Sequence, residues 1–226
     1  MRKAGQHLDE LASARVGTVT VGTHLAGSNV LLPRAIARLK RERPRVTVIV
    51  REATPDTLQA ELLTGRIDLM VGRLTTPVGH DQLLREQMYQ EPVRLVTRAG
   101  HPARDLPSPG WADLLGYPWI VPVRETSLRE ELEQVFFAEG IPLPENRVEC
   151  TCMLTLKTLL VETDAIAALP VLVATGSDDL ALLPPLLPSV RRPVGVTLPR
   201  DRPAGPAANL LLGCLHAVAA EIRERL

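Results

Sequence analysis

Apolar and polar positions follow two rhythms along the first third of the chain. From Val16 to Gly22 the run Val-Gly-Thr-Val-Thr-Val-Gly has period two and is rich in β-branched residues, which predicts a strand. A polar loop, Thr23 to Asn29, follows. Leu32, Ala35, Ile36 and Leu39 then fall on one helical face while Arg34, Arg38, Lys40 and Arg41 take the other, so a helix is expected from Ser28 to Arg43 with Pro44 as its stop. Val46 to Glu52 reads as a second strand. Thr54-Pro55 supplies an N-cap followed by proline at the first helical position, Leu58, Leu62 and Leu63 form the apolar face, and Gly65 closes the helix. The short, nearly continuous apolar run Ile67 to Val71 fits a buried parallel strand. Residues 16 to 72 therefore read β-α-β-α-β, the pattern of a doubly wound open sheet with right-handed crossovers.

Past Gly72 the rhythm changes. Residues 73 to 92 read as a polar loop, Val93 to Thr97 as an apolar run, and the Pro- and Gly-dense stretch Gly100 to Gly110 as a crossing between lobes. A second series follows: strand Trp119 to Val123, helix Ser127 to Ala138 with Ser127 and Glu130 in capping-box spacing, strand Arg147 to Cys150, helix Cys152 to Glu162 and strand Ala165 to Leu169. Val194 to Leu198 reads as a late strand. The final helix, Pro206 to Leu226, carries a broad apolar face and is assigned back to the first lobe. The expected architecture is α/β in two lobes, each an open, mostly parallel sheet flanked by helices. Lobe I takes residues 15–95 and 195–226, and lobe II takes 96–194.

Composition narrows the function classes. Of 226 residues, Lys+Arg and Asp+Glu each number 26, so zero formal net charge gives no global pull toward nucleic acid or an anionic membrane. At 45% hydrophobic and 23% charged the chain is an ordinary globular one. Five of the aromatics, Trp111, Tyr117, Trp119, Phe136 and Phe137, crowd into one stretch, so the rest of the core must be aliphatic. Three cysteines, an odd number, argue against a secreted disulfide framework, and no apolar stretch approaches the ~20 residues that span a bilayer. A soluble cytoplasmic protein with no membrane partner is expected.

Ligands of open α/β sheets sit beyond the C-terminal ends of the strands, here the loops 23–29, 53–55, 122–127 and 151–155. All are rich in Thr, Ser or Cys beside helix N-termini, whose free N–H groups and positive dipole end favour anions or polyols. Ser28, Thr54, Ser127 and Thr151 each read by default as a helix cap, but four caps opening toward one cleft would make a site. Arg124 offers a bidentate partner for a carboxylate, and His24 is open between ligand contact and surface turn. His7, His80, His101 and His216 lack partners at metal-ligand spacing, so no metal site is expected. Cys150 and Cys152 are expected to behave as small buried hydrophobes, with a redox sensor as the alternative. The basic run Arg34, Arg38, Lys40, Arg41, Arg43, Arg45 reads as a solvated face. No Gly-x-Ser-x-Gly elbow, Walker loop, His-Glu-x-x-His or Gly-x-Gly-x-x-Gly is present, and no catalytic residue or cofactor is nominated.

Gly17-Thr-Val-Thr-Val-Gly22, Leu31-Leu-Pro-Arg-Ala-Ile-Ala-Arg38, Arg43-Pro44, Leu63-Thr-Gly-Arg-Ile-Asp-Leu69, His101-Pro-Ala103 and Val161-Glu-Thr-Asp-Ala-Ile-Ala-Ala-Leu-Pro170 together resemble the effector-binding domain of LysR-type transcriptional regulators, over about residues 16 to 225. Leu25-Ala-Gly-Ser28 and Glu162-Thr-Asp-Ala-Ile166 lean toward the subgroup named for regulators of a galactose-binding protein and of protocatechuate catabolism. The resemblance implies a two-lobed fold like that of periplasmic binding proteins with a small inducer in the inter-lobe cleft. It implies ligand contacts from His24, Leu25, Ala26, Gly27 and Ser28, from Thr54, and in the second lobe from Thr126, Ser127, Thr151, Cys152 and Met153. Where the family carries Gly-x-Gly before the late strand, this chain has Thr163-Asp164-Ala165, which bears on the shape of the cleft floor.

Such regulators also carry an N-terminal winged helix-turn-helix and a linker helix. Residues 1–14 are expected to be the tail of that linker, and promoter DNA to be contacted only through a DNA-binding domain absent from this chain. The expected function is ligand-controlled transcription regulation, not catalysis, by a homodimer or homotetramer. The alternatives are a solute-binding receptor for transport and a redox-sensing regulator acting through Cys150 or Cys152.

Overall fold

The computed structural model describes residues 17–24, 29–74 and 82–226, and the chain divides into two units, Met1–Gln90 with Arg192–Leu226 and Glu91–Arg191. The chain passes between them twice, both times inside a long strand: β4 (Leu83–Arg98) and β8 (Leu180–Pro199).

The first unit is built around β1 (Thr18–Thr23). β2 (Thr47–Glu52) runs parallel on one side in the register Thr18↔Thr47 to Thr23↔Glu52, and β3 (Leu69–Arg73) runs parallel on the other from Val21↔Leu69 to Thr23↔Val71. The period-two pattern of β1 puts Val19 and Val21 wholly out of solvent. Helix α1 (Leu31–Glu42) buries Leu31, Leu32, Ala35 and Leu39, and α2 (Pro55–Leu63) buries Leu58 and Leu62. β3 begins two residues later than the apolar run suggests, because at Asp68 the side chain intervenes. The Thr20 N–H donates to the Asp68 carboxylate at 2.7 Å while the Asp68 N–H donates to the Thr20 carbonyl at 2.8 Å.

Two glycines are fixed by close approach. A Cβ on Gly22 would lie 2.6 Å from Ile67 Cδ1 and 2.8 Å from Leu58 Cδ2, so α2 and the lead-in to β3 rest directly on the β1 backbone. A Cβ on Gly195 would lie 2.0 Å from the Glu86 carbonyl oxygen, a contact between two backbones in which no side chain can yield. Thus β8 packs against β4 in this unit at Gly195, and it pairs antiparallel with β3 from Met70↔Thr197 to Arg73↔Val194. The final helix, α7 (Pro206–Arg223), buries Ala207, Leu211, Leu215, Val218 and Ile222 in this unit and joins α1 through Arg38–Glu221 at 2.9 Å.

In the second unit β5 (Trp119–Val121) lies parallel to both β6 (Arg147–Glu149) and β7 (Ile166–Pro170), and β7 runs antiparallel to β4. Successive residues of β5 face opposite sides. Trp119 and Val121 join a core with Trp111, Leu132 and Phe136 from α3 (Trp111–Leu114) and α4 (Ser127–Ala138). Ile120 joins Leu156, Leu160, Ala165 and Ala167 on the other side, under α5 (Met153–Glu162), where the short helix α6 (Val171–Thr175) adds Ala174. The aromatic crowding seen in the sequence is therefore one face of one sheet. Trp119 stacks on Trp111 with centroids 6.2 Å apart, and both meet Phe136 edge-on at 5.2 and 5.4 Å. The Trp119 indole N–H donates to the Leu114 carbonyl at 3.0 Å, which satisfies its one polar atom.

The sequence pattern misplaces two strands and the crossing between lobes, which falls inside β4 and β8 and not at 100–110, a stretch within the second unit where the Pro and Gly residues make surface turns of one compact body. Residues 73–92, read as loop, contain the first half of β4, and the strand read at 194–198 is the end of the much longer β8. In β4 Arg85, Glu86 and Gln87 stand at partly or fully exposed positions and break the apolar alternation. In β8 Pro184, Pro185, Pro188 and Pro193 remove ladder donors and give a turn signal, although Leu183 and Leu187 are buried as in any core strand. The sheets are accordingly parallel around β1 and β5 and antiparallel where β4 and β8 enter.

Thr163-Asp164-Ala165, which stands where the resemblance leads one to expect Gly-x-Gly, is tied in by side-chain bonds. The Thr163 hydroxyl donates to the Leu159 carbonyl at 2.6 Å and accepts from the Ala165 N–H at 3.2 Å, and Asp164 pairs with Arg98 at 2.7 Å. The buried His101 accepts from the Ala103 N–H at Nδ1, which leaves Nε2 to carry the ring proton and donate to the Asp164 carbonyl at 3.0 Å. His101 thereby caps the 3-10 turn Pro102–Asp105 and ties it to the start of β7.

Replacing Gly195 by Ala forces two backbones apart and is expected to cost at least ~1–3 kcal/mol. Urea unfolding should show a lower midpoint at unchanged slope, whereas Gly213→Ala, with nothing near its would-be Cβ, should be neutral or stabilising. Equal midpoints for the Gly195 variant and the parent would refute the contact.

Candidate functional site

In the first unit the C-terminal ends of three adjacent strands present His24, Thr54 and Arg73. Because β1 lies between β2 and β3, His24 stands one step beyond the last pairs of both ladders, Thr23↔Glu52 and Thr23↔Val71. Its ring is buried, 7% exposed, and packs on the backbone at Gly72, where a Cβ would come 3.2 Å from Cε1. Burial, and after it the positive charge of Arg73, lowers the His24 pKa, so the imidazole is neutral near pH 7. His24 is thus a buried residue of the strand end and no surface turn. Arg73 was hidden in what reads as a polar loop. Its only sequence signal is a charge immediately after a continuous apolar strand.

Thr54 holds the N-cap position of α2 in extended conformation (φ −65°, ψ 153°), but its side chain makes no capping bond. Its hydroxyl lies instead 2.9 Å from that of Thr57, one turn into the helix. Leu25, Ala26, Gly27 and Ser28 lie outside the described residues.

In the second unit the turn after β5 carries Arg124, Thr126 and Ser127. Thr126, not Ser127, caps α4: its hydroxyl accepts from the Arg129 N–H at 3.3 Å and donates to the Val123 carbonyl at 2.9 Å. The capping-box spacing of Ser127 and Glu130 therefore misplaces the cap by one residue, because Thr126 is extended (φ −104°, ψ 138°) and Ser127 is already helical. That leaves Ser127 exposed on the first turn and Arg124 exposed beside it.

On the neighbouring strand end, Thr151 is exposed and Cys152 is the N-cap of α5, while Met153 packs on the aliphatic core. The expectation that both cysteines are buried does not hold. Cys150, whose N–H still donates to the Val121 carbonyl of β5 at 3.0 Å, is half-buried, Cys152 is exposed at the N-cap of α5, and only Cys214 is buried. The Cys150 Sγ points to the Cys152 carbonyl at 3.5 Å.

One residue the sequence reading passed over binds these second-unit turns together. Arg129 is 1% exposed and shares the α4 face of Leu132 and Phe136, at i+3 and i+7. Its guanidinium donates to the Pro122 carbonyl beyond β5 at 2.9 Å, pairs with Glu149 at the end of β6 at 3.1 Å, and pairs with Glu133 on its own helix at 2.7 Å. Burial pulls its pKa down, but the bonds to Glu133 and Glu149 outweigh that and hold it above the ordinary arginine value. The same contact, followed by that of Arg147, holds the Glu149 carboxyl below the usual range. A charge at a helix position reserved for the core was the available signal.

The two sets of strand ends thus offer hydroxyls and guanidinium groups at helix starts. These are groups that recognise polar or anionic ligands. Among the described residues no three His, Cys, Asp or Glu side chains converge to hold a metal, and no helix is long and apolar enough to cross a membrane.

The family described as the LysR substrate binding domain matches residues 12–220. The HTH-type transcriptional regulator GbpR of Azospirillum brasilense is 29% identical over 97% of the chain and 65% of its own length. The HTH-type transcriptional regulator PcaQ of Agrobacterium fabrum is 30% identical over 98% of the chain and 72% of its own length. Both belong to the subgroup to which the sequence phrases lean. The chain thus spans just under two thirds of GbpR. Among solved structures, that of CbnR, a LysR family transcriptional regulator, shares the fold at a TM-score of 0.71 and 20% identity, over 95% of this chain and 75% of that one.

Two outcomes follow from these side chains. The folded-state pKa of His24 lies below the unfolded value of about 6.5, so the folded protein binds fewer protons and loses stability as pH falls through 6.5 toward that lower pKa. His24→Gln should reduce the drop in urea midpoint between pH 7.5 and pH 5.5; an undiminished drop would show that His24 does not titrate in this way. Arg129→Ala leaves the Pro122 carbonyl without its donor and Glu149 with Arg147 alone, and should lower stability by ~1–3 kcal/mol. Loss of amide-exchange protection at residues 149–153 should accompany it, and parental protection there would contradict the anchoring role.

Proposed function

The chain belongs to the LysR substrate-binding-domain family, and from that premise we propose that it is the effector-sensing part of a transcriptional regulator. A small organic ligand, a sugar or an organic or aromatic acid, binds at the strand ends of the two units. The bound ligand shifts the population of arrangements in a homodimer or homotetramer, and that arrangement positions DNA-binding segments on promoter half-sites. The protein works in the cytoplasm.

The observation that carries this proposal is the placement of the polar side chains. Thr54 keeps a hydroxyl that does not cap, Ser127 and Arg124 stand exposed at the start of α4, and Thr151 stands exposed before α5. His24 and Arg73 add a buried ring and a positive charge at the ends of β1 and β3. Leu25, Ala26, Gly27, Ser28, Thr126, Cys152 and Met153 complete the proposed set. Helix starts with hydroxyls and guanidinium groups suit reversible recognition of a polar or anionic ligand. The names of GbpR and PcaQ, both HTH-type transcriptional regulators, support the regulatory half of the proposal.

A ligand must prefer one arrangement through its own contacts, so removing contacts must weaken it. Thermal-shift screening against sugars, aromatic acids and dicarboxylates should find a stabiliser whose affinity falls tenfold or more, about 1.4 kcal/mol, in Thr54→Ala and in Ser127→Ala. No stabiliser among these classes, or unchanged affinity in both variants, would overturn the assignment.

A further inference from the structure

We propose that the groove between α1 and α7 in the first unit is a binding site for a small phosphate-bearing anion of the diphosphate class, separate from the strand-end residues. The groove has a volume of ≈ 260 Å³ and is lined by Arg34, Arg38, Arg41, Val218, Glu221 and Arg225.

The two helices run antiparallel. α1 returns the chain between the parallel strands β1 and β2, whereas α7 follows β8, which is antiparallel to β3. The contacts agree. Arg38 meets Glu221, and the Cys214 thiol, about two turns back along α7, is pushed up by burial and then by the carboxylate of Glu42, one turn forward along α1. One turn the other way from the Arg38–Glu221 pair, Arg34 on α1 therefore comes opposite Arg225 at the end of α7.

The charges do not balance. Arg38 takes both nearby carboxylates, Glu221 at 2.9 Å and Glu42 at 3.5 Å. Arg34, Arg41 and Arg225 line the same groove with no ion-pair partner among the described residues. Two guanidinium groups facing one another across a groove repel, and an anion between them turns that repulsion into two attractions. In the sequence alone these arginines read as one solvated helix face. The return of α7 brings a further cation to it and closes the face into a groove.

The number and spacing of the free cations select the ligand. Arg34 and Arg41 lie seven residues apart on α1, about 10 Å along the axis, which is beyond the reach of a single phosphate. One phosphate carries about −1.5 to −2 and two linked phosphates about −3, enough to offset the net +2 that Arg34, Arg38, Arg41 and Arg225 leave against Glu42 and Glu221 and still to offer oxygens to each of the three unpaired arginines. Guanidinium groups also suit the planar, bidentate recognition of phosphate oxygens.

The test uses the purified chain at low ionic strength with inorganic pyrophosphate, inorganic phosphate and ADP as probes. Pyrophosphate should raise the Tm well above sodium chloride at matched ionic strength and titrate at one per chain, with inorganic phosphate at least tenfold weaker. Binding of ADP as tight as that of pyrophosphate would place the diphosphate on a nucleotide, and weaker ADP binding would favour the free ion; both support the site. The double variant Arg34→Gln, Arg225→Gln should lose at least tenfold in pyrophosphate affinity, and Arg45→Gln, outside the groove, should not. Without ligand the double variant should melt at or above the parent temperature, because a like-charge opposition has been removed; a purely structural role predicts a lower one. A shift that follows ionic strength alone, full affinity in the double variant, or duplex DNA outcompeting pyrophosphate for the same arginines would each overturn the proposal.

Discussion

At Gly22 the central strand gives up its side chain, and Leu58 and Ile67 settle onto bare backbone. Much of the first unit is arranged around that approach. It sets how near α2 lies to β1, and so where the turn from β2 delivers Thr54. It also sets where the chain leaves α2, and so where Asp68 meets Thr20 and closes the β1–β3 ladder. Once β3 is fixed in that register, Gly72 and Arg73 arrive beside His24. The chemistry at the strand ends is therefore a consequence of helix-on-sheet packing several residues away, and a methyl group at position 22 would disturb it without touching any polar atom.

The second unit reaches a similar result by opposite means. A long, charged side chain is drawn into the core instead of a side chain being omitted. Arg129 spends its donors on Pro122, Glu133 and Glu149. It thereby fixes the turns after β5 and β6 relative to α4, the helix that carries Ser127. Buried ion pairs contribute little net stability, yet they hold geometry because a shifted partner leaves a charge unpaired. In this unit rigidity at the strand ends comes from electrostatics, and in the other from steric fit.

How much of this was legible follows from which forces write themselves into local sequence. The helix Ser127–Ala138 has the boundaries that its periodicity and Gly140 indicate, and Thr54-Pro55 marks the start of α2. Those signals are local, carried by caps, period and proline. The resemblance to LysR-type regulators was legible for the same reason, since its motifs are contiguous phrases. β4 and β8 were obscured because their evidence is long-range: prolines and charges that forbid an isolated strand are tolerated when the partner strand is supplied from a hundred residues away. Arg129 and the exposure of Cys152 were missed because residue type was taken to decide burial. For the arginine the contacts with Pro122 and Glu149 decide, and for the cysteine its place at the N-cap of α5. Arg73 was lost with the loop that was thought to contain it.

The first unit is assembled from two ends of the chain, while the second, Glu91–Arg191, is one continuous stretch. That order has a consequence during synthesis. β3 needs β8 as its neighbour, and α1 needs α7 over its arginines, but both partners emerge from the ribosome only after the core of the second unit. The amino-terminal half must therefore wait, with one edge of β3 unpaired, while the middle of the chain completes its own core around Trp111, Trp119 and Phe136. Of the two units, the one begun first is the one finished last.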